Sequence, residues 1–85
     1  MTAAAIIALV VCSVINRTLG MRVTEVLPHH SLADDLAVES IDLVTIAMEV
    51  EDLFGIEVTD DEVPALATVA DWIALVERKT AERIA

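Results

Sequence analysis

The chain contains only one cysteine, two glycines, two prolines and two aromatic residues in 85 residues. Because a disulfide needs two cysteines, Cys12 cannot form one within the chain, and one cysteine with two histidines is too few for a structural zinc site. These absences indicate a reducing compartment such as the cytoplasm. The length predicts one small domain over residues 1–85 and excludes a multidomain enzyme.

Basic residues are absent from the middle of the chain. From Glu25 to Glu77 the sequence contains fourteen Asp or Glu residues and no Lys or Arg, and the net charge of the whole chain is −10. A surface of this sign repels the phosphate backbone of nucleic acids, which argues against a nucleic-acid partner. It attracts proteins with basic patches, so we expect the partners to be basic protein surfaces.

The beginning of the chain is strongly apolar, since twelve of the thirteen residues from Ala3 to Ile15 are hydrophobic. A membrane span needs about 20 such residues, and this run stops at Asn16 and Arg17. No Lys or Arg precedes the run, as one would in a secretory signal peptide. We therefore predict a first helix from Thr2 to about Arg17 that packs in the core of a cytoplasmic protein, and we do not expect a membrane protein.

Both sides of this first helix are apolar. The predicted core stripe has helical spacing and consists of Ile7, Val10, Val11, Val14 and Ile15. The opposite side carries Ala4, Ala8 and Cys12. That side is either exposed as a small patch or covered by a protein partner, a second copy or a membrane surface, and the sequence leaves these alternatives open. We expect a monomer.

Helical periodicity is lost between Leu19 and Val38, which predicts a loop of roughly twenty residues, longer than compact domains usually contain without a functional reason. The side chains expected to hold this loop against the core are Leu27, Leu32 and Leu36. His29 and His30 also lie in it. Because adjacent loop histidines rarely coordinate one ion together, we expect no metal site.

Three further helices are predicted after the loop. The second begins at Glu39 or Ser40 and ends at Phe54, before a glycine that stops it. The acidic residues after Thr59 indicate a short third helix, and Thr68 is the predicted N-cap of the last one. The sequence therefore predicts an all-α fold, a small four-helix bundle of three longer helices and one short helix, with a long loop between the first two.

The loop meets the second helix in the segment Asp35-Leu36-Ala37-Val38-Glu39-Ser40-Ile41-Asp42. This segment resembles the modification site of acyl carrier proteins, whose typical form is D-L-G-x-D-S-L-D. Downstream residues follow the order of that family without gaps, and they are Val44, Met48, Glu51, Phe54, Gly55 to Val58, Asp60 and Thr68-Val69. The resemblance covers about half of the chain.

The resemblance implies that Ser40 is a substrate position. In this family the serine hydroxyl receives 4′-phosphopantetheine from coenzyme A, in a reaction catalysed by a separate Mg²⁺-dependent phosphopantetheinyl transferase, the holo-acyl carrier protein synthase. The thiol of the arm then carries acyl intermediates as thioesters in fatty-acid, polyketide or related lipid biosynthesis. No base or oxyanion arrangement accompanies Ser40 in the sequence, so we do not expect an enzyme.

The resemblance also implies two surfaces. The face recognised by basic docking patches on the transferase and on acyl-transferring and synthase enzymes comprises Glu39, Ile41, Asp42, Met48, Glu49, Glu51 and Asp52. The crevice that shelters an acyl chain comprises Val44, Ala47, Ile56, Val63, Leu66 and Ile73. Ala37 and Glu39 replace the family's usual glycine and aspartate, and Thr45 stands where glutamate is common. The first two replacements are mild. The charge lost at Thr45 and the charge added by Glu49 indicate partners other than those of a housekeeping fatty-acid carrier.

A second hypothesis comes from a different functional class. An unmodified module of the same fold would use its acidic face and its apolar first helix to dock on a larger complex or on a membrane. The two hypotheses differ in one observable, the covalent mass that a transferase adds to Ser40.

Overall fold

The structure, a computed structural model, describes residues 2–84 and the side chains of residues 2–83. Within this range it contains three α-helices, α1 (Ala3–Leu19), α2 (Ser40–Phe54) and α3 (Val69–Ile84), and two short 3₁₀ turns. An isolated bridge between Ser31 and Thr68 is the only extended pairing among the described residues. The predicted all-helical class is confirmed, with three α-helices in place of four.

Helix α1 begins and ends where its sequence predicts. The Thr2 Oγ1 accepts a hydrogen bond from the Ala5 N–H at 3.2 Å, and so satisfies one of the donors that a helix start leaves open. Gly20 follows the helix with a φ of 59°, a conformation that costs glycine little. The side chains of α1 that are buried in the core are Val11, Val14, Ile15 and Leu19. The predicted stripe residues Ile7 and Val10 are half-buried.

The outer side of α1 is more apolar than expected. Ala8 and Cys12 are half-buried against the core, whereas Ile6 and Leu9 are 48% and 56% exposed. Together with the following 3₁₀ turn, Ala3–Arg22 has a mean hydropathy of 1.9 over its most apolar window and is long enough to cross a membrane by length and composition alone. Core helices of soluble proteins and signal sequences near an N-terminus satisfy the same criterion. Here 22% of the window is buried, and one side of α1 forms part of the core.

The long connection between α1 and α2 is attached to the start of α3. The N–H groups of Val69 and Ala70 donate to the carbonyls of His30 and Pro28, at 3.0 and 2.8 Å. Helix starts leave such donors without partners inside the helix, so the loop supplies the acceptors that α3 lacks. The loop side chains buried beneath are Val26, Leu32 and Leu36, while Leu27 is only half-buried.

The prediction of a short third α-helix is wrong. The residues after Thr59 form a turn, followed by a single 3₁₀ turn over Val63–Ala65 with Pro64 inside it. Proline has no N–H group to donate, and a 3₁₀ turn of three residues needs fewer internal hydrogen bonds than an α-helix. The segment therefore owes its position to side chains rather than to helical hydrogen bonds.

Glu62 fixes this turn segment to α3. Its Oε1 accepts hydrogen bonds from the N–H and the hydroxyl of Thr59, at 3.0 and 3.1 Å, and from the Lys79 Nζ at 2.7 Å. The same Lys79 Nζ donates to the Glu57 carbonyl at 2.7 Å. The Lys79 ammonium and the Thr59 N–H lower the pKa of Glu62 from its ordinary 4.5 to about 2.

Helix α3 carries the centre of the core. Thr68 caps it as predicted, because its Oγ1 accepts from the Asp71 N–H at 3.1 Å while an Asp71 oxygen accepts from the Thr68 N–H at 3.0 Å. The predicted inner stripe is buried and consists of Val69, Trp72, Ile73 and Val76. Trp72 is completely buried, and its indole N–H has no hydrogen-bond partner among the described residues.

A pair of isoleucines on α2 tests which side of that helix stabilises the fold. Ile46 is completely buried and Ile41 is 69% exposed. Ile46→Ala removes a core side chain and leaves a cavity, so we expect the free energy of unfolding to fall by about 2–5 kcal/mol. Ile41→Ala is the matched control and should change it by less than about 0.5 kcal/mol. Urea unfolding followed by circular dichroism measures both, and equal losses would contradict the helix orientation described here.

Because the pKa of Glu62 is lowered, the free energy of unfolding depends on pH in the acidic range. Because the pKa is lower in the folded than in the unfolded chain, the stabilisation is complete above 4.5 and is lost as the pH falls towards about 2. We expect Glu62→Gln to be less stable than the wild type above pH 4.5 and the difference to shrink below it. Glu82→Gln, at an exposed position of α3, is the control. Urea unfolding over this pH range would contradict the assignment if the difference stayed constant.

Candidate functional site

Ser40 is the first residue of α2 and is exposed. Its side chain does not cap the helix. Glu39 is the N-cap, with extended backbone angles, and its N–H donates to the Asp42 Oδ2 at 2.9 Å. None of the hydrogen bonds within the described residues uses the Ser40 hydroxyl. The Glu39 N–H is therefore satisfied by Asp42, and the Ser40 hydroxyl is available to another molecule.

Asp42 was expected on the recognition face, but the structure buries it, with 7% of its surface exposed. Its two carboxylate oxygens accept from the two terminal nitrogens of Arg22, at 2.7 and 3.1 Å. The Arg22 guanidinium, together with the Glu39 N–H, lowers the pKa of Asp42. This carboxylate is buried and already engaged by Arg22 and Glu39, so it is poorly placed to meet a basic partner and is not counted among the recognition residues proposed below.

The other acids of the predicted recognition face differ in their surroundings. Glu39 and Asp52 are exposed. Glu49 is paired with Arg17 of α1 at 2.6 Å, with the Arg17 side chain largely exposed and the Glu49 side chain half-buried. Glu51 is half-buried and accepts a hydrogen bond from the Val58 N–H at 2.9 Å. Its carboxylate therefore connects α2 to the segment after it, in addition to any role at the surface.

Exposed apolar side chains lie among these acids. Ile41 and Met48 of the predicted face are 69% and 59% exposed. Val44 and Leu53 are each 56% exposed, although the sequence assigned Val44 to the crevice and gave Leu53 no role. A helix that turns several large apolar side chains towards solvent is typical of a protein-binding surface.

A crevice of about 370 Å³ opens beside Ser40, between α2 and the turn segment after it. The residues that line it are Ser40, Leu43, Val44, Ala47, Met48, Glu51, Val58, Asp60, Val63 and Pro64. Most of these side chains are apolar, and Ser40 is the residue at the helix start. The crevice can therefore hold an apolar chain that begins at or near the serine.

The crevice overlaps only in part with its prediction. Val44, Ala47 and Val63 line it, whereas Ile73 is buried in the core, and Ile56 and Leu66 pack against the core. Helical spacing from Ser40 could have identified Leu43, which lies three residues on. Spacing could not have identified Val58, Asp60 or Pro64, because their positions depend on how Glu62 fixes the turn segment.

Ala37 precedes the serine by three residues and has a φ of 50°. This is the left-handed region, which is unfavourable for any residue with a Cβ atom and open to glycine. Glycine, the usual residue of the motif at this position, is therefore favoured by this backbone conformation, which this chain adopts with alanine. The surrounding loop holds it there through the Val38 N–H, which donates to the Leu32 carbonyl at 2.8 Å.

The surroundings of the remaining candidates, His30 and Cys12, fit structural roles. The His30 Nδ1 accepts from the Leu27 N–H at 3.0 Å, which fits the predicted loop role. No group of three metal-ligating side chains occurs among residues 2–83. Cys12 is half-buried, and burial raises the pKa of its thiol, which lowers its reactivity.

Comparison with known families identifies the same region. A family model described as "Phosphopantetheine attachment site" matches residues 10–76, which is most of the chain and includes Ser40 and every residue that lines the crevice. Acyl carrier proteins bear this attachment site.

Individual relatives carry the corresponding names. The acyl carrier protein of Micrococcus luteus is 38% identical over 64 residues, which cover 75% of this chain and 79% of the relative. The acyl carrier protein of Myxococcus xanthus is 40% identical over 60 residues, 71% and 76% of the two chains. The meromycolate extension acyl carrier protein of Mycobacterium tuberculosis is 31% identical over 68 residues, 80% of this chain and 59% of the longer relative. The chain therefore belongs to the acyl carrier protein family, whose members are carriers with a phosphopantetheine attachment site rather than enzymes.

Proposed function

We propose that Ser40 is the residue to which 4′-phosphopantetheine is attached, and that the chain carries acyl intermediates in fatty-acid, polyketide or related lipid biosynthesis. The observation that carries this proposal is an exposed, unengaged hydroxyl on the rim of an apolar crevice. The other serines of the chain differ. Ser13 is also exposed but lies in the middle of α1 rather than at a helix start, and the Ser31 Oγ accepts a loop hydrogen bond from the Asp34 N–H at 3.1 Å.

The start of α2 suits the phosphate of such a group. The N-terminus of a helix carries partial positive charge and unpaired N–H groups, which favour an anion. When bound, the group supplies a thiol that carries the acyl chain as a thioester. The residues around Ser40 offer the hydroxyl but no base that could deprotonate it, so a separate phosphopantetheinyl transferase must provide the catalytic groups.

The crevice would shelter the acyl chain. Its volume of about 370 Å³ is at the small end of ligand pockets in proteins. Leu43, Val44 and Ala47 provide one apolar wall from α2, and Val58 and Val63 provide the other from the turn segment. The relatives are named as acyl carriers, which supports an acyl chain as the occupant.

The recognition face of the proposed carrier comprises the six remaining residues of the predicted set. They are Glu39, Ile41, Met48, Glu49, Glu51 and Asp52. The partners proposed for this face are the transferase and the acyl-transferring and synthase enzymes, docking through basic patches around the exposed apolar side chains.

We further propose that the chain acts as a single monomeric domain, residues 1–85, in the cytoplasm. Support comes from one continuous core to which α1, α2 and α3 all contribute. In this proposal the turn segment that ends in Val63–Ala65 takes the place of the short helix of a four-helix bundle.

The attachment site is tested by one serine substitution. We expect Ser40→Ala to gain no mass when a phosphopantetheinyl transferase and coenzyme A are supplied, while the wild type gains one phosphopantetheine group. The free energy of unfolding should change by less than about 0.5 kcal/mol, because the hydroxyl is exposed and does not cap the helix. Ser13→Ala is the matched control and should be modified as the wild type is. Intact-mass spectrometry measures the result, and a wild type that stays unmodified would favour the acidic docking module instead.

The recognition face is tested by charge reversal. We expect Asp52→Lys to lower kcat/KM for modification several-fold at low ionic strength, because exposed charges act mainly on encounter. The loss should disappear as the ionic strength rises from about 0.01 M to about 1 M, which shortens the screening length from about 30 Å to about 3 Å. Glu82→Lys changes the net charge equally on α3 and is the control. A loss that persists at high salt would contradict recognition through charge.

A further inference from the structure

Arg22 connects the end of α1 to the start of α2. Its Nε donates to the Leu19 carbonyl at 3.1 Å, and its two terminal nitrogens donate to the two Asp42 oxygens. Leu19 is the last residue of α1, and Asp42 lies in the first turn of α2, two residues after Ser40. One guanidinium therefore joins two helices that are far apart in the chain, next to the proposed attachment site.

This arrangement changes the charge that a partner meets beside Ser40. The Asp42 carboxylate accepts three hydrogen bonds, two from Arg22 and one from the Glu39 N–H, out of about four that its lone pairs allow. It is buried, whereas the Arg22 side chain is 48% exposed. The solvent-facing member of the pair is therefore the cation, whereas the charged residues of α2 itself are all acidic.

We propose that Arg22 is a specificity-determining residue for the modification of Ser40. By occupying Asp42 and exposing its own guanidinium, it disfavours partners that place a basic side chain at this point, and it favours partners that are neutral or acidic there. Like charges that face each other across an interface weaken binding. A partner with a cation opposite Arg22 is therefore disfavoured relative to a partner without one. This inference rests on the proposed function, since it concerns recognition at the same serine.

The test is a charge cycle on the two residues, with a transferase whose docking surface is basic. Wild type carries a neutral pair beside the serine, Arg22→Met leaves a negative charge, Asp42→Asn leaves a positive charge, and the double variant is neutral again. We expect Arg22→Met to raise kcat/KM for modification about two- to fivefold, through KM, at low ionic strength. Asp42→Asn should lower it, and the double variant should return to the wild-type value.

Two controls separate this role from a structural one. The first control, Arg83→Met, changes the net charge by the same amount but at the other end of α2. Arg83 lies there because its Nε is 3.3 Å from the point that a Cβ atom on Gly55 would occupy. That end is about 22 Å from Ser40 along the helix, so the kinetics should stay as in wild type. Arg22→Lys keeps the cation without the paired geometry and should also retain wild-type kinetics, even with a lower melting temperature.

The outcomes are distinct. Equal or slower modification of Arg22→Met at low salt, or a change in kcat that salt does not remove, would overturn the specificity role. Should Arg22→Met fail to fold, Asp42→Asn alone decides, because wild-type kinetics in that variant would also overturn it. A wild-type chain that gains no mass would overturn the proposed function and this inference together, and it is detected before any variant is compared.

Discussion

The position of the long connection depends on the unsatisfied donors at the start of α3. Seventeen residues, 23–39, link the first 3₁₀ turn to α2 without a helix or strand of their own. The His30 and Pro28 carbonyls accept from the first two N–H groups of α3, and the buried Leu32 and Leu36 hold the loop beneath. The loop supplies carbonyl acceptors and α3 supplies N–H donors that have no partner within the helix. These hydrogen bonds fix the loop although it has no regular structure. The location of Ser40 follows from that attachment.

The surface around Ser40 combines side chains that fix α2 in place with side chains that are free to contact a partner. The Arg22 side chain fixes the start of α2 by donating to Asp42. The Glu51 side chain fixes the segment after α2 by accepting from the Val58 N–H. The exposed apolar residues beside Ser40 make no comparable bonds and are free to contact a partner. Rigid positioning of the serine and an adaptable apolar surface around it are thus separate properties of one helix.

The features that the sequence predicts well are those whose causes lie within a few residues. Thr2, Gly55 and Thr68 set helix ends through contacts within four residues, and the structure shows those ends where they were expected. The errors arise from long-range pairs. Asp42 pairs with Arg22 across 20 residues, and Glu62 pairs with Lys79 across 17. A single sequence shows that such charges exist but not which of them meet, so Asp42 was placed on the recognition face, and Ile56, Leu66 and Ile73 in a crevice that they do not line.

Trp72 gives the molecule an optical property that follows from its position. It is the only tryptophan, and the chain has no tyrosine. Its indole is completely buried, without a hydrogen-bond partner among the described residues, and it does not line the crevice beside Ser40. Indole fluorescence is blue in apolar, dry surroundings and red in water, so the emission of this single fluorophore reports on the integrity of the core rather than on the crevice, whose lining does not include it.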